Sequence, residues 1–206
     1  MSDETSITPK QAAILADAVY ALKDKSIAVA SDAGVDFTGA GAATNNVNTR
    51  VLGTSGLFSH KESSGFGFCT QSKDAKEAFI VTRGTNSLAD VLTDLDAIPM
   101  STGFSNTAAA GFVKTFKSLE VKVQDYINAG SYHTIHCIGH SLGGALATLV
   151  ANKYSQNGHT NIKLYTFGSP RVFYGTGKQL ENVDSYRVYH ESDPVPMLGP
   201  FPLTHY

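Results

Sequence analysis

Five consecutive residues, Gly139-His140-Ser141-Leu142-Gly143, could do chemistry. A serine hydroxyl is a weak nucleophile until a base takes its proton. The G-x-S-x-G spacing presents such a serine when it joins a strand to a helix. So tight a turn needs tiny residues two positions either side of the serine, and Gly139 and Gly143 supply them. Gly144 and Ala145 then let the following helix approach the sheet. The turn lifts the Ser141 hydroxyl above the sheet. It also leaves the Leu142 N–H free at a helix N-terminus, where it can stabilise an oxyanion. An ordinary glycine-rich turn has the same letters, so the flanking elements must decide.

The serine needs a base, and the base needs an orienting carboxylate. In folds with this elbow the chain order is serine, acid, histidine. His159, His190 and His205 follow Ser141. His159 lies in a polar turn, Asn157-Gly-His-Thr, and no strand delivers an acid before it. His190 falls near a strand end, with Glu181 and Asp184 before it. Asp193 follows that strand in Glu191-Ser-Asp-Pro-Val-Pro196, a loop stiffened by its prolines. Catalytic groups belong on loops at the carboxyl ends of parallel strands. Asp193 therefore fits as the acid, and His205 is the histidine beyond it. The competing readings are a turn-forming Asp-Pro for Asp193 and a frayed terminal residue for His205.

The elements that must position these groups follow from periodicity. Thr134 to Ile138, Ile162 to Phe167 and Tyr186 to His190 read as strands, and Ser141 to Tyr154 as a helix. Upstream, Phe66 to Gln71 and Ala78 to Thr82 read as strands joined by the polar turn Ser72 to Lys76. Phe112, Phe116, Leu119, Val123 and Tyr126 step at helical spacing, and Gly130 stops that helix. Leu88, Val91, Leu92 and Leu95 space like one helical face. Pro99 to Ala110 is small and polar, which predicts a mobile loop. Pro9 to Lys23 reads as a helix with Thr8 as its cap. Residues 31–57, rich in Gly, Ala, Asn and Thr, carry no clear assignment. Strands and helices alternate after residue 77, which predicts an α/β fold with a mostly parallel sheet flanked by helices. The stretch from Tyr126 to Asn152 has no Asp, Glu, Lys or Arg, as expected of strands buried on both faces.

Composition bounds the rest. The 206 residues fit a single domain, 1–206, large enough to bury a core. A net charge of -2 gives no electrostatic case for nucleic acid as a partner. Cys69 and Cys137 read as two buried free thiols rather than a disulfide framework. No Cys/His cluster has ligand spacing, so neither a metal nor a cofactor is expected. The acidic start, Met1-Ser-Asp-Glu, lacks the basic and apolar regions of a secretory signal. That sets a cytoplasmic expectation, with a leaderless secreted effector as the alternative.

Several segments together resemble the class 3 lipases, an α/β-hydrolase family. Gly139 to Ala147 is similar to that family's nucleophile segment. Thr82-Arg-Gly-Thr85 resembles its F-R-G-[ST] oxyanion strand, and Asp90-Val-Leu-Thr-Asp-Leu95 its D-W-x-x-D-L. Thr166-Phe-Gly-Ser-Pro-Arg-Val172 resembles T-F-G-x-P-R-V, and Arg187 to Pro196 resembles R-V-x-x-x-x-D-x-V-P. The resemblance implies an α/β-hydrolase in a compact form, with a small lid or none. By position it makes Ser141 the nucleophile, Asp193 the acid and His205 the base. It makes Thr85 and Leu142 the oxyanion donors, and leaves His140, Arg83 and Arg171 structural roles. His136, on the same strand, reads as a satisfied core histidine. Three positions depart from the pattern: Thr82 for Phe, Val91 for Trp, and Ala109 for the His of H-x-G-F. The implied function is a serine carboxyl-ester hydrolase of lipase type, acting on lipid or other acyl esters with transient contact at a lipid interface. The alternatives are a phospholipase, a short-chain or feruloyl-type esterase, or an inactive hydrolase serving as a binding module.

Overall fold

Strand residues at the centre of this molecule are apolar at successive positions, because they have no solvent side. The computed structural model describes residues 7–21, 49–55, 62–72, 74–84, 98–104, 106–175, 180–198 and 203–204. Strand β3 (Glu77–Thr82) is buried at every position. Its parallel neighbour β6 (Thr134–His140) is buried at all but the last. Around them stand β1 (Thr49–Ser55), β2 (Glu62–Gln71), β7 (Ile162–Phe167) and β9 (Val183–Val188). The six strands run in the order β1-β2-β3-β6-β7-β9. The β1-β2 and β2-β3 pairs are antiparallel, and the other three are parallel. The expected mostly parallel sheet is therefore present, and it belongs to the α/β-hydrolase type.

Side-chain alternation sends successive residues to opposite faces. On one face, Leu15 and Val19 of α1 (Pro9–Ala21) pack with Phe79, Val81, Ile138 and Tyr165. On the other, α2 (Ala110–Ala129) and α3 (Leu142–Gln156) cover Ala78, Ile80, Cys137 and Leu164. The stripe on α2 is the one its spacing predicts: Phe112, Phe116, Leu119 and Val123 are all buried. Gly130 follows it in an extended conformation, so the helix ends in a break rather than a left-handed cap.

Cys69 and Cys137 are free and buried. Cys69 sits opposite Ile80, and Ile80 opposite Cys137. Two strand spacings separate them, about 9.5 Å, beyond the ~7 Å Cα limit for a disulfide. Burial pushes the Cys69 thiol up to about 12 and also raises that of Cys137.

Two expectations need correction, and one unassigned stretch gains a strand. Pro99 to Ala110 is not a loop throughout: it contains β4 (Pro99–Ser101) and β5 (Thr107–Ala109). With β8 (Phe173–Tyr174) and β10 (Leu203–Thr204) these form an antiparallel sheet in the order β10-β8-β5-β4. Such short pieces, paired across long sequence separations, leave little periodicity to read. The last parallel strand runs from Val183 to Val188, three residues earlier than its apolar residues suggested. As an edge strand it exposes Asp184, Ser185 and Tyr186, so it lacks an apolar run. The unassigned stretch 31–57 contains β1. The expected helical face Leu88 to Leu95 lies outside the described residues. Among the described residues no helix is long and apolar enough to cross a membrane.

Candidate active site

Strand β6 delivers the chain to Ser141, and α3 leaves from Leu142. Between them Ser141 adopts φ 55°, ψ -129°, a region that L-residues avoid. Such a conformation costs on the order of 1–3 kcal/mol and persists only where its surroundings impose it. Here the Ser141 N–H donates to the Phe167 carbonyl at 2.9 Å, and the Ser141 carbonyl accepts from the Gly144 N–H at 2.9 Å. The flanking glycines are demanded by space. A Cβ on Gly139 would run into the Gly143 carbonyl, and one on Gly143 into the Thr82 carbonyl oxygen. The expected closeness of helix and sheet extends to Gly144, where a Cβ would lie 2.8 Å from Ser169 Oγ. The Leu142 N–H stands in the first turn of α3, where donors have no intrahelical acceptor.

Asp193 lies beyond the carboxyl end of β9. Its Oδ1 accepts the Val195 N–H at 2.9 Å, and its own N–H donates to the His190 carbonyl at 2.9 Å. Its Oδ2 faces Gly168, at the end of β7. A Cβ there would lie 2.7 Å from Oδ2 and 3.8 Å from His140 Nε2, and Gly168 has φ +52°. Asp193 thus stands beside the elbow, next to His140, the residue preceding Ser141. Arg187 steadies the same corner by donating to the Ser169 carbonyl at 2.6 Å. The Arg171 backbone N–H donates to the Leu198 carbonyl at 3.3 Å.

The other histidines fall elsewhere. His190 is exposed, and its Nδ1 accepts the Ser192 N–H at 3.2 Å within its own turn. His159 packs edge-on against Tyr154, near the far end of α3, about 20 Å from Ser141 at the helical rise of 1.5 Å per residue. His136 is fully buried, stacked on Phe79 at 4.6 Å, and bonds Glu77 Oε2 through Nε2 at 2.8 Å. Among the described residues its Nδ1 has no hydrogen-bond partner.

Thr85 and His205 lie outside the described residues. The backbone just before His205 is placed: Thr204 pairs with Phe173 across β10 and β8.

Sequence reasoning missed two contributors. Tyr20, on α1, brings its phenol oxygen 2.9 Å from His140 Nδ1 and close against Gly84. Thr82, fully buried, points its hydroxyl at the Gly143 carbonyl, 2.7 Å away. Partial loss of solvent lowers the His140 pKa, against the opposing pull of the Asp193 and Asp17 carboxylates. Burial raises that of Tyr20, partly offset by the Gly84 N–H and Arg83. No signal in the sequence pairs residue 20 with residue 140. Thr82 was visible as a departure from the family pattern. Among the described residues, no group of three or more His, Cys, Asp or Glu could hold a metal ion.

Comparison with known proteins bears on this geometry. A family model described as lipase (class 3) matches residues 79–202. A secreted mono- and diacylglycerol lipase 1 of Fusarium solani is 46% identical over 65 residues, covering 30% of this chain and 19% of that protein. A secreted mono- and diacylglycerol lipase A of Penicillium cyclopium is 28% identical over 126 residues, covering 56% and 41%. The chain therefore spans well under half the length of these relatives. The crystal structure of a lipase from Rhizopus microsporus var. chinensis shares the fold, with TM-score 0.63 at 23% identity over 93% of this chain and 68% of that one. These names correct the cytoplasmic expectation, since the matched relatives are secreted lipases. An acidic first few residues carry no weight against export in a chain that spans only part of its relatives.

Proposed function

The chain belongs to the class 3 lipase family, and from that premise we propose that it is a serine carboxyl-ester hydrolase acting on acyl esters of lipids. The observation that carries this reading is the strained Ser141 turn between β6 and α3, with Asp193 beside it. Ser141 Oγ attacks the ester carbonyl carbon while the His205 imidazole takes its proton. Asp193 orients His205 and stabilises its charged form. The carbonyl oxygen becomes an oxyanion, held by the Leu142 and Thr85 N–H groups. The tetrahedral intermediate collapses to an acyl-enzyme, and the alcohol leaves with the proton from His205. Water, deprotonated by the same imidazole, attacks the acyl carbon and releases the acid and free Ser141. Thr204 supports His205 as the base, because its backbone is tied to β8 one residue earlier. The relatives' names support glycerides as substrates and export as the destination.

The test is hydrolysis of diacylglycerol and of p-nitrophenyl esters by the purified chain. Turnover by wild type but not by Ser141→Ala is expected. Wild-type protein inert towards every acyl ester, or a Ser141→Ala variant within tenfold of wild type, would overturn the reading.

A further inference from the structure

Two backbone segments meet at Ser141. One is the elbow, residues 140–143. The other is the end of β3 with the residues that follow it, Thr82-Arg83-Gly84, leading to Thr85. The β3-β6 ladder ends at the Thr82-Gly139 pair, so ladder bonds stop where the two segments must hold their separation.

Two side-chain hydroxyls bridge that gap. Thr82 Oγ1 lies 2.7 Å from the Gly143 carbonyl and 3.2 Å from that of Ile138. One hydrogen goes to the closer acceptor, in the first turn of α3. On the other side, Tyr20 Oη lies against the Gly84 backbone and 2.9 Å from His140 Nδ1. Contact here is close: a Cβ on Gly84 would lie 2.7 Å from Tyr20 Oη, 2.8 Å from the His140 carbonyl and 3.0 Å from Ser141 Cβ. The phenylalanine of the family pattern at position 82 has no hydroxyl, so the Thr82 bridge belongs to this chain's own sequence.

We propose that Thr82 and Tyr20 are positioning residues that clamp the Thr82–Gly84 segment onto the nucleophile elbow. The proposal rests on Ser141 being the nucleophile. Oxyanion donors act at 2.7–3.1 Å, and a misplacement of about 1 Å can cost on the order of 10²-fold in rate. Loosening the clamp therefore acts on the transition state and leaves ground-state binding largely alone.

The experiment compares Thr82→Val, Tyr20→Phe, Thr82→Ser and Ser141→Ala in the full chain. It measures kcat and KM on a p-nitrophenyl ester. It also measures the affinity of an alkylboronic acid, which forms a tetrahedral anion on a serine oxygen. Thr82→Val and Tyr20→Phe should each lower kcat about tenfold, less than the ~10²-fold of a full 1 Å misplacement, with KM within about twofold. Boronate affinity should weaken by the same factor as kcat, and Thr82→Ser should restore both. The clamp is refuted if Thr82→Val and Tyr20→Phe keep kcat within about twofold of wild type. It is also refuted if kcat falls while boronate affinity stays, or if Thr82→Ser fails to restore it. In those cases an inactive Ser141→Ala leaves the proposed function standing. An active Ser141→Ala removes both.

Discussion

Ser141 and Asp193, the proposed nucleophile and acid, are held by opposite means. Around Ser141 the constraint is backbone and space: a strained turn, two main-chain bonds, and glycines that admit no methyl group. It lies between buried strands, and Ser141 itself is 7% exposed. Asp193 hangs beyond β9, the edge strand, in a turn whose neighbours Glu191, Ser192 and Pro194 are exposed. Its carboxylate accepts a backbone bond from Val195 and rests against Gly168. Tolerance explains the difference. The nucleophile must stand at a fixed distance from donors on its own turn. An acid acts through an intervening imidazole, which can absorb small displacements.

Breaking either half tests that contrast. Ser141→Ala should show the largest effect, a loss on the order of 10⁶-fold in kcat, with the far-UV spectrum unchanged. Asp193→Asn keeps the turn's shape but presents the wrong partner to the base. It should cost about 10⁴-fold in kcat, measured on the same ester, with unfolding temperature near that of wild type. Gly143→Ala probes space rather than chemistry. Its methyl group meets the Thr82 carbonyl, main chain that cannot swing aside. Urea unfolding should show a loss of about 1–3 kcal/mol, as overpacking typically costs. His190→Ala sharpens the comparison from the other side. The ring is exposed and turned towards Ser192, so kcat should stay within about twofold of wild type. A large loss there would make His190 the base and displace His205.

Legibility in the sequence followed the same divide. The elbow could be read because its constraints are local: residues 139–143 carry the tight turn in their own letters. The amphipathic α2 was equally plain, since its buried stripe repeats every three or four residues. Edge strand β9 was misplaced because an exposed strand has no apolar run. Strands β4 and β5 were read as a loop because each is three residues long, and the two-residue β8 and β10 carried no reading at all. Tyr20 was invisible for a third reason. Its partner lies 120 residues away, and a tyrosine one step from the buried Val19 reads as helix packing. Glu77, buried against His136, was hidden in the same way, 59 residues from its partner.

The most direct test of the account is covalent. A fluorophosphonate carrying an alkyl chain transfers its phosphoryl group to an activated serine, with fluoride leaving. Mapping by mass spectrometry should place the adduct on Ser141, in proportion to the loss of esterase activity. Labelling should be absent in Ser141→Ala and strongly slowed in His205→Ala, while His190→Ala labels at the wild-type rate. An adduct on another serine, or an unlabelled protein that still hydrolyses esters, would contradict the account.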